Sequence, residues 1–357
     1  MKRVLASTIL AFAAAATIAA APDVFDDVAA LSEKSRVEWG APGMSVAVVL
    51  DSKIAWAEGF GLADVENDVP ARANTVYRIA SISKPLASTA VMQLVEQGKV
   101  RLEDPITKYV PSFPDKGLGI TLRHLMTHTS GIRHYAEGEM AMKAHFDSIE
   151  EAIEIFKDDP LLFTPGTKYS YSTYAYNLLA GVVESASGLT FEAYMKEKVW
   201  GPAGMTSTYL EHQGELVEHR SEQYVKAGGN GRVRNAPFAD LSVKWAGGGM
   251  ISSVEDLARF AIALDQGKLL KRETLEAMYE PMTLADGSKT DYGLGWDSQV
   301  DAKARRWIAH GGGATGGSTY ILRLPERGFA VAIEANVENA GDRRELAMKI
   351  AELVLGK

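Results

Sequence analysis

Arg78-Ile79-Ala80-Ser81-Ile82-Ser83-Lys84-Pro85 stands where the periodicity of this chain changes. Before it, residues 44–50 are β-rich and 53–61 alternate, and with a turn at Asp51-Ser52 they predict a β-hairpin. After it, residues 85–97 open a series of helical patterns broken by Pro and Gly. Ser81 and Lys84 are three apart, so at a helix start they share a face within hydrogen-bond reach. Pro85 does not obstruct this, because N–H groups of a first turn lack intrahelical partners. A helix N-terminus favours an oxyanion and a neutral amine beside it. A free lysine titrates near ~10.4, so a base at neutral pH needs a downshift of roughly three units, about 4 kcal/mol. Burial and the dipole must supply it. Alone, S-x-x-K arises about once by chance in such a chain. A serine N-cap followed by a solvated lysine is the plainer reading of these residues.

Two further stretches alter that balance. Phe163-Thr164-Pro165-Gly166 leads to Tyr171-Ser172-Thr173 at the mouth of another helix. A tyrosine there can relay a proton between Ser81 and a leaving group, with Lys84 sustaining its phenolate character. Tyr169, Tyr174 and Tyr176 surround it, which also suits a packed aromatic. His310-Gly311-Gly312-Gly313 ends an apolar strand. Glycines there let a substrate approach the backbone, and a free N–H can complete an oxyanion hole.

In this order and spacing the three elements resemble the serine β-lactamase-like family. That family includes class C β-lactamases, penicillin-binding peptidases and family VIII-type esterases. Ala41-Pro42-Gly43, Leu125-Met126-Thr127-His128-Thr129-Ser130-Gly131, Gly247-Gly248-Gly249-Met250-Ile251-Ser252 and Tyr292-Gly293-Leu294-Gly295-Trp296 agree. The similarity runs over roughly residues 35–350 and is greatest to the mitochondrial serine β-lactamase-like branch, through Arg78–Lys84 and Ser130-Gly131-Ile132-Arg133-His134-Tyr135. The resemblance implies Ser81 as acylated nucleophile, Lys84 as its base and Tyr171 as acid/base for the leaving group and the attacking water. It implies an oxyanion held by the N–H groups of Ser81 and Gly313, with Thr173, His310, Gly312 and Gly313 facing substrate and no metal or other cofactor. Two positions depart from the family. Thr173 replaces a frequent Asn and loses its paired donor and acceptor. His310-Gly311-Gly312 replaces Lys-Thr-Gly and loses a hydroxyl and a permanent cation, so any β-lactam turnover should be slow. His310 is expected to titrate between pH 6 and 7 if unperturbed.

The implied fold class is α/β (α+β), β-lactamase/transpeptidase-like. Strand patterns at 292–296, 306–310, 318–324 and 329–336 match the N-terminal hairpin in forming one antiparallel sheet from both chain ends. A sheet lobe of about 22–80 and 290–357 would then enclose a helical lobe of about 81–289. Helices are expected at 24–39, 121–127, 148–157, 174–187, 191–199 and 342–355, with capping boxes at Ser148/Glu151 and Ser252/Glu255. Lys2 and Arg3 before an alanine-rich apolar run read as a signal peptide over 1–21, giving a periplasmic or secreted protein with no stable membrane insertion after cleavage.

The composition narrows the function further. The 357 residues are 46% hydrophobic and 24% charged, which excludes fibrous and low-complexity classes. A net charge of −8 disfavours nucleic acid, and the absence of cysteine removes thiolate chemistry and disulfides. Gly311, Gly313 and Gly316 mimic a dinucleotide fingerprint, but a strand pattern follows where a helix is required. His124 and His128 lack the glutamate of a zincin and read as structural. G-x-S-x-G is absent. The expected partner is a small-molecule or peptide substrate, hydrolysed as an ester or amide through an acyl-enzyme. A catalytically weak cell-wall-peptide-binding or scaffold protein on this fold is the alternative, and the intact Ser81, Lys84 and Tyr171 argue against it.

Overall fold

Asp51 and Ser52 both take positive φ, 50° and 55°. Such a two-residue turn matches the right-handed twist of its flanking strands. It joins β1 (Gly43–Leu50) to β2 (Lys53–Asp64), the expected hairpin. The computed structural model describes residues 24–228, 232–301 and 304–356; the expected leader at 1–21 lies outside them. The remaining strands are β3 (Val69–Pro70), β4 (Tyr77–Arg78), β5 (Tyr209–Leu210), β6 (Tyr224–Lys226), β7 (Val233–Asn235), β8 (Met250–Ser252), β9 (Asp297–Val300), β10 (Arg306–Ala314), β11 (Gly317–Leu324) and β12 (Phe329–Ala335). Seven of them form one antiparallel sheet in the order β3-β2-β1-β12-β11-β10-β9. The N- and C-terminal segments therefore meet at its centre, with Val48 opposite Val331. The Gly43 N–H donates to Asn336 Oδ1 at 2.7 Å across a separation of 293 residues.

Both faces of that centre are covered, which is why β1 reads as a nearly continuous apolar run. Met44, Val46 and Val48 join the core under α1 (Val24–Trp39) and α6 (Arg343–Leu355). Ala47 and Val49 face the larger core, with α2 (Ser83–Glu96), α3 (Tyr174–Ser187), α4 (Val254–Asp265) and α5 (Arg272–Tyr279). Each fully buried valine of β1 contributes on the order of 1.5–3 kcal/mol relative to exposure.

Local expectations fail where glycine or cap geometry overrides periodicity. Residues 292–296 form no strand: Gly295 takes φ 91°, and a Cβ on Gly293 would lie 2.2 Å from the Met278 carbonyl oxygen. The segment is an irregular wedge, and the strand begins only at Asp297. The α4 cap is Ser253, whose Oγ accepts from Asp256 N, one residue beyond the expected Ser252. The Ser148 hydroxyl does accept from Glu151 N at 3.1 Å, but the Glu151 carboxylate turns to Asp147 N, and the helix stops at Ile153. Beyond Phe191–Tyr194 the chain widens into a π-turn over Met195–Trp200.

Candidate active site

Ala80 sits at φ 50°, a left-handed conformation rare for a residue with a Cβ. It places Ser81 on a 3-10 turn, Ala80–Ile82, that runs into α2. Neighbouring elements hold the turn. Ser83 Oγ donates to Ala80 O at 2.7 Å and accepts from Met250 N on β8 at 3.2 Å. Thr319 Oγ1 on β11 donates to Ile79 O at 2.9 Å. Ser81 is partly exposed while Ile82 and Lys84 are buried, so the turn presents one hydroxyl and sinks the amine behind it.

The Lys84 nitrogen is 3.1 Å from Ser81 Oγ, 3.2 Å from Thr173 Oγ1 and 2.5 Å from the Gly247 carbonyl oxygen. It lies over the Tyr171 ring, 4.7 Å from the centroid. No carboxylate pairs with it among the described residues. Burial pushes its pKa well below the ordinary lysine value, and the charge of Lys244 adds to this. Three acceptors suit the three protons of an ammonium. In a neutral amine, two N–H bonds are retained and the lone pair accepts the Ser81 O–H. The same cage thus accommodates both protonation states.

Tyr171 interacts with the Ser81 hydroxyl, yet burial carries its phenol well above 10. This corrects the expected phenolate character: at rest the Tyr171 phenol keeps its proton, while the Lys84 amine is the group whose proton is weakly held. Its ring packs 4.1 Å from that of His128, whose Nδ1 accepts from Ser172 N at 3.2 Å. His128 is therefore the buried back wall of Tyr171, and His124 Nδ1 closes a capping box with Thr121. Both have the structural role expected of them. His134 Nδ1 accepts from Thr173 N at 3.2 Å, and burial lowers its pKa to about 4.

His310 differs from expectation. It is buried; its Nδ1 donates to Gly311 O at 2.7 Å and its Nε2 accepts from Tyr292 Oη at 2.9 Å. Burial, then Lys84, lowers its pKa to about 3, so it is neutral through pH 6–7 and no switch in that range. Thr173 is also buried, with its hydroxyl on Lys84 rather than directed to a ligand. Gly312 is a packing position: a Cβ there would meet Thr319 Oγ1 at 2.1 Å and Ile79 O at 2.5 Å, so only glycine lets β10 lie against the Ser81 turn. Gly313 is exposed, with nothing within 4 Å of a Cβ.

Sequence reasoning missed two groups. Lys244 is buried, donates to Met140 O at 2.6 Å and lies over the Tyr135 ring at 5.1 Å; burial lowers it to about 8. Nothing in Ser242-Val243-Lys244-Trp245 marks a buried amine. Arg78 is bidentate to buried Glu211 at 2.7 and 3.0 Å and donates to Thr315 O at 2.9 Å. It ties the turn after β10 to the strand that precedes Ser81.

The beta-lactamase family profile matches residues 24–355. The Homo sapiens "Serine beta-lactamase-like protein LACTB, mitochondrial" is 32% identical, over 90% of this chain and 78% of that protein. Penicillin-binding protein 4* of Bacillus subtilis is 30% identical, over 85% and 70%. Among solved structures, the octameric penicillin-binding protein homologue from Pyrococcus abyssi superposes with TM-score 0.82 at 27% identity, over 93% of this chain and 78% of that one. A D-stereospecific amidohydrolase from Streptomyces sp. gives 0.77 at 26% identity, over 94% and 100%.

Proposed function

The chain belongs to the beta-lactamase family, and from that premise we propose that this serine hydrolase is exported and cleaves amide bonds of D-amino-acid peptides, with short esters as simpler substrates, through an acyl-enzyme on Ser81. The observation that carries the reading is the buried Lys84 amine on the Ser81 hydroxyl with no carboxylate to keep it charged. A purely binding or scaffold protein needs no desolvated lysine there. The preference for D-configured amides draws on the similarity to the D-stereospecific amidohydrolase from Streptomyces sp.. No helix of the described residues is long and apolar enough to cross a membrane.

In this mechanism Ser81 Oγ attacks the carbonyl carbon while its proton passes to Lys84 Nζ. The N–H groups of Ser81 and Gly313 receive the oxyanion. Collapse expels the amine, which takes the Tyr171 proton, and the Lys84 ammonium reprotonates Tyr171. Water then attacks the ester carbonyl, its proton travelling through Tyr171 to Lys84, and Ser81 leaves with a proton restored. β-Lactams should acylate slowly, because neutral His310 offers their carboxylate no cation.

The test is intact-mass spectrometry after a fluorophosphonate probe, wild type beside Ser81→Ala. One adduct, absent from the variant, is expected. A folded wild type that takes no adduct would overturn the reading.

A further inference from the structure

The outer edge of β10 pairs with β9 only from Arg306 to Ala309. From His310 onward no strand covers that edge among the described residues. The buried His310–Tyr292 pair stands at one end of the open edge, with the Tyr171 ring 6.4 Å from that of His310. If Tyr171 protonates the leaving group, the departing amine exits on the His310 side. The acyl portion must then run the other way, past Gly313 toward Ala314 and Thr315.

Thr315, in the turn that follows β10 and two residues beyond Gly313, also lines a groove of about 420 Å³. Met140 and Pro237 supply exposed apolar rims, and Lys226 and Arg234 of the β6–β7 hairpin supply two cations against the single carboxylate of Glu338. Lys226 Nζ is held by Asn339 O at 2.8 Å, whereas Arg234 is exposed and has no side-chain partner among the described residues. Thr315 Oγ1 is buried without a hydrogen-bond partner among the described residues. A cationic groove on a chain of net charge −8 stands against the general field.

We propose that this groove is an acyl-side subsite that selects substrates carrying a carboxylate one or two residues before the scissile bond, with Arg234 as the cation that reads it. The proposal rests on the assignment of Ser81 and Tyr171 above. A peptide chain laid along β10 brings its acyl extension to Thr315, and its apolar atoms cover Met140 and Pro237. An acidic side chain or N-cap there meets Arg234.

The test uses D-phenylalanyl phosphonate probes that differ only in an acetyl, succinyl or β-alanyl cap, with Ser81 labelling rates read by intact mass. Wild type should take the succinyl probe roughly three- to tenfold faster than the acetyl probe, and the gap should shrink with salt. Arg234→Ala should equalise the caps, Arg234→Lys should keep part of the preference, and Arg234→Glu should favour β-alanyl. The ratio between caps within each variant, rather than the absolute rate, is the readout. Equal rates for all caps in wild type, or a succinyl preference that survives Arg234→Glu, would overturn the groove proposal alone. Failure of every cap to label Ser81 would instead remove the acyl-enzyme reading and the groove with it.

Discussion

In the proposed mechanism Lys84 has to be neutral to accept the Ser81 proton, so activity should rise with pH through its depressed pKa. Lys244 lowers that pKa by like-charge repulsion. Lys244→Met should let Lys84 hold its proton to higher pH and displace the acid limb of kcat/KM upward; an unmoved limb would dismiss the coupling. His310→Gln should leave the limb in place, because His310 carries no charge above about 3. Tyr171→Phe should cost on the order of 10²–10⁴ in kcat if the phenol is the acid/base, and a loss under about threefold would remove that role. At this scale the sequence revealed side chains and spacing but not burial. That Ser81, Lys84 and Tyr171 come together was legible because their motifs lie at element boundaries. The protonation of His310 and Tyr171 was not, since it depends on which segments cover them. Lys244 left no signal, as a buried lysine and a solvated one are written alike.

Strands and turns show how that covering is achieved. Gly312 and Gly313 are neighbours on β10 with opposite tolerances. Gly312→Ala puts a methyl 2.5 Å from the Ile79 carbonyl oxygen, so β10 must move off the Ser81 turn. A displacement near 1 Å costs roughly 10²-fold in rate. Gly313→Ala meets nothing within 4 Å and should change kcat/KM only about twofold. Steady-state kinetics on both variants, with circular dichroism as a folding check, decides whether packing or exposure distinguishes them. Elements with strong period were readable: helix α3 falls at Tyr174–Ser187 as expected, and the hairpin forms around Asp51-Ser52. The segment 292–296 was misread because alternation of Tyr, Leu and Trp imitates a strand while Gly293 and Gly295 serve close packing and a left-handed bend. Periodicity reports which side chains share a face. It is silent about what backbone approaches from outside.

Across the molecule, the central sheet buries one carboxyl that the chemistry does not use. Glu334 on β12 is fully buried, neither oxygen has a hydrogen-bond partner among the described residues, and burial raises its pKa well above that of an ordinary glutamate. The folded chain keeps this proton where the unfolded chain has released it. Glu334 therefore lowers stability as pH climbs above the unfolded value, by up to about 1.4 kcal/mol per unit until the folded pKa is reached. Glu334→Gln should gain on wild type from pH 5 to 8 in urea unfolding, and parallel curves would rule out the buried proton. The sheet's closure has a further consequence, in time. β1 is finished long before β12, and the Gly43–Asn336 clasp spans 293 residues. At about 5–20 residues per second a ribosome needs roughly 15–60 s to deliver the partner. Through that interval the β1 edge has no strand to pair with and its apolar face no helix α6. Whatever escorts the nascent chain has to shield an open edge for most of its synthesis, and the enzyme cannot acquire its site until almost the last strand is made.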